Sequence, residues 1–432
     1  MRLFKNKNLR RIAFGLAFAG AVLGTGLAVG IRSGLAQEWL TKPINFVVPT
    51  KTSGSLDHPA REMSPFLREE LDQPVKLEPP KARPLILVQR RRGKRERRGR
   101  RERGSEGDGE RRGRGVPFID THTHFLGHSG RGDDYDGSAD ATIDNMDRNN
   151  IRLGIVMPPP FAPGKRGMHD HAELLSAARR YKGRFAVLGG GGSLNLMINE
   201  AVAKGSIDDE MKAEFAARAE KILADGAIGF GEMTALHFSL REGHGFQMAP
   251  PDHPLFLLLA EIAQRHKVPI DLHMEAVVAD RDIPEHLKGA PNPDRLPANI
   301  GAFERLLDHA PGATIVWVHL GWDNTGERTV ALVRRLLKAH PNLFMSFKVA
   351  GGAPPVNQAF TRDAGFGDEW RDLVLDFPDR FLIGSDIQTR PTSSRTKTRG
   401  TTNGVSRLLR ELPRDVIRRV AIGNAKRVFR LD

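Results

Sequence analysis

From residue 117 onward the chain repeats one arrangement. A short apolar run is followed by a longer stretch in which apolar residues return every three or four positions. The runs fall at 117–121, 153–157, 185–189, 227–231, 268–272, 314–318, 343–347 and 381–385. Continuous apolar runs of this length read as strands buried on both faces. Helical spacing separates them, most plainly over 169–183, 208–226, 253–267 and 327–340. Eight alternating units with right-handed crossovers predict an α/β fold of the (β/α)8 TIM-barrel type over residues 116–432. The tail over 413–431 reads as a pair of amphipathic helices that complete the ring.

What ends each run carries the chemistry. His122 and His124 close FIDTHTH, His273 closes VPIDLHM, His319 follows TIVWV, and Asp386 follows FLIGS. A barrel of parallel strands brings all of these ends to one mouth. Residues two apart on a strand face the same way, so His122 and His124 project together as a chelating pair while Thr123 points away. The chain has no cysteine, so a metal here is held by nitrogen and oxygen alone. Glu232, in GAIGFGEMTALHF, ends the fourth run and joins the set.

The first 115 residues read differently. Residues 1–36 begin with Arg2, Lys5, Lys7, Arg10 and Arg11, continue uncharged from Ile12 to Ile31, and reach small residues before Ala36. This is the layout of a cleaved signal peptide and predicts an exported, periplasmic protein. The uncharged stretch 12–31 is also long enough for membrane anchoring, the alternative reading. The pair Arg10-Arg11 resembles a twin-arginine signal. Residues 37–79 predict a strand at Ile44–Val48, a small-residue loop, and a helix from Pro59 to about Leu71 capped by Ser55 or Asp57.

Net charge changes the picture little once located. Residues 90–114 hold 13 Lys or Arg against 5 Asp or Glu, a net +8 of the chain's +14, with no apolar side chain. Such a stretch cannot offset its ordering entropy by burial, so residues 80–115 are expected to be a disordered Arg/Gly/Glu-rich linker. The charge is therefore no sign of a specific nucleic-acid partner.

Two resemblances follow from these motifs. Residues 1–78 resemble the N-terminus of a tripartite tricarboxylate transporter substrate-binding receptor, which implies a carboxylate-binding receptor fragment. A receptor needs two lobes around a cleft, and this stretch supplies neither. The join suggests a fusion, and if residues 1–115 are a fusion artefact the enzyme is cytoplasmic. Residues 116–432 resemble the amidohydrolase superfamily, in its amidohydrolase-related (amidohydrolase 2) branch. The resemblance is carried by H-x-H on strand one, His on strands five and six, Asp on strand eight, and the G-N-A-x-R-x-F ending at Gly423 to Phe429.

The second resemblance implies a metal-dependent enzyme. A divalent ion held by His122, His124, His273 and Asp386 would lower the pKa of water toward about 7. Zn2+ suits this ligation best, with Mn2+ or Fe2+ as alternatives. Glu232 occupies the position where some relatives bridge two ions, so one or two ions are open. Asp386 is the expected proton acceptor, and His319 would polarise a carbonyl or complete a second ion site. Lys348, Arg390 and Arg281 are expected to pair with an acidic substrate, with His237, His169 and His171 nearby. The reading is a hydrolase of an ester, lactone or amide of a carboxylic acid. The alternative is a non-oxidative decarboxylase of an aromatic or related acid. Barrels of this branch often form dimers, so a homodimer is the expected assembly.

Overall fold

The computed structural model describes residues 115–127, 133–164, 168–320, 323–349, 358–361, 365–391 and 404–432, with two short strands at Ile44–Val47 and Val75–Glu78. The predicted signal or anchor, the helix over 59–71 and nearly all of the linker lie outside the described residues. Contacts divide the chain into two units, Met1–Arg103 and Gly104–Asp432. In the first, the two short strands pair in parallel, Ile44 opposite Val75. Among the described residues no helix is long and apolar enough to cross a membrane.

The second unit is a TIM-barrel-like α/β fold with parallel strands. Its strands are β1 (Phe118–Phe125), β2 (Ile151–Val156), β3 (Phe185–Val187, resuming at Gly189–Gly190) and β4 (Phe230–His237). They continue as β5 (Pro269–Met274), β6 (Thr314–Trp317), β7 (Leu343–Phe347) and β8 (Phe381–Ile383, resuming at Ile387–Thr389). One arc runs from the first half of β8 through β7, β6, β5 and β4 to the second half of β3. The other joins the second half of β8 to β1, β2 and the first half of β3. The arcs thus meet within the two interrupted strands, where Leu188 N donates to the Val156 carbonyl and Gly189 N to the Gly229 carbonyl.

Each predicted run is a strand, with shifted ends. β4 begins at Phe230, not 227, just after Gly229, where a Cβ would stand 2.5 Å from the Pro269 carbonyl. It then runs on past Glu232 to His237, since its polar residues are buried in the site rather than marking an edge. The predicted helices appear as His171–Ala178, Asp209–Ala224, Pro254–His266 and Val330–Ala339. Local chemistry starts them: Asp170 and Glu173 form a capping box, and Thr329 accepts from Leu332 N.

Packing places the histidine-bearing ends. Ile119, Ile155, Leu188, Val316, Phe344 and Leu382 come from six different strands into one cluster, joined by Val428 and Phe429 of the last helix (Asn424–Phe429). Full burial of such a side chain is worth roughly 1.5–3 kcal/mol, so this layer fixes the strands relative to one another. The run Gly189–Gly192 lets backbones approach. A Cβ on Gly191 would stand 2.7 Å from the Pro158 carbonyl and 3.0 Å from that of Glu232, and one on Gly192 would collide with the His169 carbonyl. Asp170 ties this run to the next helix, because Gly190 N donates to its Oδ1 at 2.7 Å and Ser193 Oγ, just ahead of that helix, donates to its Oδ2.

Candidate metal centre

β1 presents His122 and His124 on one face, and the threonine before each works outward. Thr121 Oγ1 donates to the Ile383 carbonyl and Thr123 Oγ1 to the Ile387 carbonyl, each at 2.9 Å. The outer ring nitrogens of both histidines are fixed. His122 Nδ1 lies 3.2 Å from Asp271 Oδ2, and His124 Nδ1 lies 2.9 Å from the Met157 carbonyl. A carbonyl and an ionised carboxylate can only accept, so these partners place the proton on Nδ1 in both rings. Each Nε2 is then left with a lone pair. The two Nε2 atoms stand 3.1 Å apart, a spacing that one shared cation, a proton or a divalent ion, satisfies.

Carboxylates complete the arrangement. Asp386 Oδ1 is 3.1 Å from His124 Nε2, and Glu232 Oε2 is 3.5 Å from the Nε2 of both histidines. His319 Nε2 is 3.2 Å from Glu232 Oε1. Two overlapping sets have ligand atoms within 4.8 Å of one another: His122, His124 and Asp386, and His122, Glu232 and His319. Nitrogen and carboxylate oxygen in this number fit a divalent ion of the zinc, manganese or iron type.

The electrostatics agree with a site built for positive charge. Burial disfavours a charged His122, yet the Asp271 and Glu232 carboxylates override it and raise the ring's pKa well above the ordinary imidazole value. A proton there does the work of a cation. Burial also works against ionised Asp386, but Lys348 and the neighbouring imidazoles hold that carboxyl well below the usual range. Glu232 is likewise held ionised against burial, by His122, His273 and His319. His319 goes the other way: burial and Lys348 keep it neutral. His237, buried beside His273 and His244, is pushed down to about 3.

Not every expected residue arrives in the expected role. His122, His124, Glu232, His319 and Asp386 converge. His273 is adjacent, but its Nδ1 is hydrogen-bonded to Glu232 Oε1 at 2.8 Å, and it belongs to neither convergent set. Lys348 reaches the site through an ion pair with Asp386. Arg390 and His237 line a cavity of about 460 Å³ that opens onto the cluster. Arg281 does not reach that cavity, because its guanidinium is committed to Glu327 Oε1 at 2.7 Å and the Thr325 carbonyl at 3.0 Å. His169 lines the cavity between Tyr135 and Phe161, whereas His171 turns away to Asp225 at 2.8 Å.

Sequence reasoning missed Asp271, Glu275, Arg241 and His244. Asp271 had a signal, standing two positions before His273 on β5 and so facing the same side. The other three lie beyond strand ends, where spacing carries no such information. Two of the convergent residues sit in left-handed backbone, His319 at φ 62° and Asp386 at φ 52°. Non-glycine residues hold that conformation only where surroundings impose it, and such positions cluster at functional sites.

Asp271→Ala should weaken ion affinity about 10- to 100-fold, because His122 loses the partner that fixes its tautomer. Chelator competition measures it, and an unchanged affinity would show that Asp271 does not orient the ring.

Comparison with known proteins gives a family. The amidohydrolase profile matches residues 119–431. Among solved structures, a protein of Agrobacterium tumefaciens crystallised in its apo form is 14% identical; the match covers 73% of this chain and 94% of that one, with a TM-score of 0.41. Amidohydrolase 2 from Bifidobacterium longum subsp. infantis is also 14% identical, with 73% and 100% covered and a TM-score of 0.35. No curated protein matches the chain.

Proposed function

The chain belongs to the amidohydrolase superfamily of enzymes, and from that premise we propose that it is a metal-dependent hydrolase of an ester, lactone or amide of a carboxylic acid. The observation that carries this reading is the convergence of His122 Nε2 and His124 Nε2 with two ionised carboxylates, those of Glu232 and Asp386. His122, His124 and Asp386 would hold one ion, and His122, Glu232 and His319 offer a second set. We assign Zn2+ to the first. When bound, such an ion supplies Lewis acidity toward water and a carbonyl oxygen.

The protein's own groups account for the proton. Asp386 is ionised and faces the cavity, so it can accept a proton from the attacking water and return it to the leaving group. Lys348 pairs with the other oxygen of that carboxylate and holds it in place. His237 stays neutral at working pH and adds no positive charge beside the ion. At the rim, Arg390 and Arg241 offer guanidinium groups for a substrate carboxylate.

The test is turnover of a panel of lactones and hydroxybenzoates by protein of measured ion content. Acid release that disappears with chelation and returns with Zn2+ is the expected result. Release of CO2 instead would replace hydrolysis by decarboxylation, and undiminished turnover without ion would remove the metal from the reading.

A further inference from the structure

The four imidazoles around Glu232 are held in different ways. His122 and His124 have Nδ1 fixed from outside by Asp271 and the Met157 carbonyl, and His273 has Nδ1 on Glu232. His319 Nδ1 is buried and has no hydrogen-bond partner. Its ring is hydrogen-bonded at Nε2 alone, to Glu232 Oε1 at 3.2 Å, so the main chain shares in setting its orientation, and that main chain is in the left-handed region at φ 62°.

Arg328 supplies the constraint. Its side chain is buried, with only 2% of the residue exposed. Nη1 donates to the Val318 carbonyl at 3.2 Å, and Nη2 donates to the His319 carbonyl. These two carbonyls belong to the peptide groups on either side of the His319 α-carbon, so one guanidinium holds both of the dihedral angles that aim the ring. A planar fork with parallel donors can do this where a single ammonium cannot.

The clamp is itself anchored. The guanidinium lies 5.5 Å from the Trp317 ring centre, and Trp317 Nε1 donates at 2.7 Å to the carbonyl of Met274, the neighbour of His273. Asp323 Oδ2 accepts from Arg328 N at 3.0 Å, while its Oδ1 accepts from Thr325 Oγ1 at 2.9 Å. Glu275 accepts from Asn324 N at 2.9 Å and from Asn324 Nδ2 at 2.6 Å. The Asp323 and Glu275 carboxylates are buried and oppose the charge of Arg328.

We propose that Arg328 is a positioning residue: by clamping the peptide groups flanking His319 it aims that ring at Glu232, 3.2 Å away. The link to turnover rests on the ion-cluster reading above, but the clamp does not. The test is ring NMR of 15N-histidine-labelled full chain, ion-free and ion-loaded, for wild type, Arg328→Lys, Arg328→Met and Asp323→Asn. In the ion-free protein, Arg328→Lys should shift and broaden the His319 resonances and leave those of His122 and His124 in place. In the loaded protein, kcat should fall about 10- to 100-fold with KM little changed, and Lys should recover part of what Met loses. Unchanged His319 resonances in a folded variant, or equal movement of all four rings, would overturn the proposal. If the Arg328 variants do not fold, Asp323→Asn decides by the same criterion, since it keeps shape while removing a charge that faces the guanidinium and one of the two acceptor oxygens that anchor the turn ahead of it. Wild type that binds no ion would defeat the metal reading while leaving the ring result standing.

Discussion

Replacing His124 with alanine is expected to empty the ion site of His122, His124 and Asp386 and to abolish turnover. The His124 side chain is 1% exposed, and its Nε2 is 3.1 Å from Asp386 Oδ1 and 3.1 Å from His122 Nε2. Removing it takes away one of only two nitrogen lone pairs in the first set of ligands, and the remaining His122 and Asp386 cannot enclose an ion. Bound metal, measured by mass spectrometry on purified protein, should drop by the ion that this first set holds. Hydrolysis should fall with it, while circular dichroism remains that of the wild type. A variant with wild-type metal and wild-type activity would sink the assignment of the whole centre.

The second large effect separates holding the ion from moving the proton. Asp386→Asn keeps size and one oxygen donor but cannot accept a proton at working pH. It should reduce kcat by about 10²- to 10⁴-fold, the usual worth of a positioned base, with a much smaller loss of bound ion. The pH dependence has a definite sign. Because Lys348 and the neighbouring imidazoles hold the Asp386 carboxyl well below the ordinary carboxylate range against burial, the base form persists as pH falls through the range where a free carboxylate protonates. The acid limb of kcat/KM therefore lies below that range in the wild type and moves up toward it in Lys348→Met. Equal ion loss and rate loss in Asp386→Asn would make Asp386 a ligand only.

Much of this was legible before any coordinates. Buried parallel strands write themselves as uninterrupted apolar runs, and the residues that stop those runs fall together because strand direction is shared. The failures have physical causes. β3 and β8 are each broken in the middle, and no residue pattern marks Leu188 or Gly384–Asp386 as a break within one strand. The partner of His124 is a backbone carbonyl, that of Met157, and a carbonyl has no residue type to recognise. Arg281 looked like a rim cation because its partner Glu327 is 46 positions away. Arg328 is a buried charge, and a lone arginine ahead of an amphipathic helix looks like any solvated one.

The threonines of β1 carry a consequence for how the site comes to exist at all. In Asp120-Thr121-His122-Thr123-His124, polar residues alternate so evenly that a slip of one residue against the neighbouring strand would still bury a plausible face. It would exchange two imidazoles for two hydroxyls at the mouth. The bonds from Thr121 and Thr123 to the Ile383 and Ile387 carbonyls exist only in the unslipped pairing. Side chains that never approach an ion thus proofread the alignment that creates its binding place, and a slipped strand would lose their buried bonds together with the chemistry.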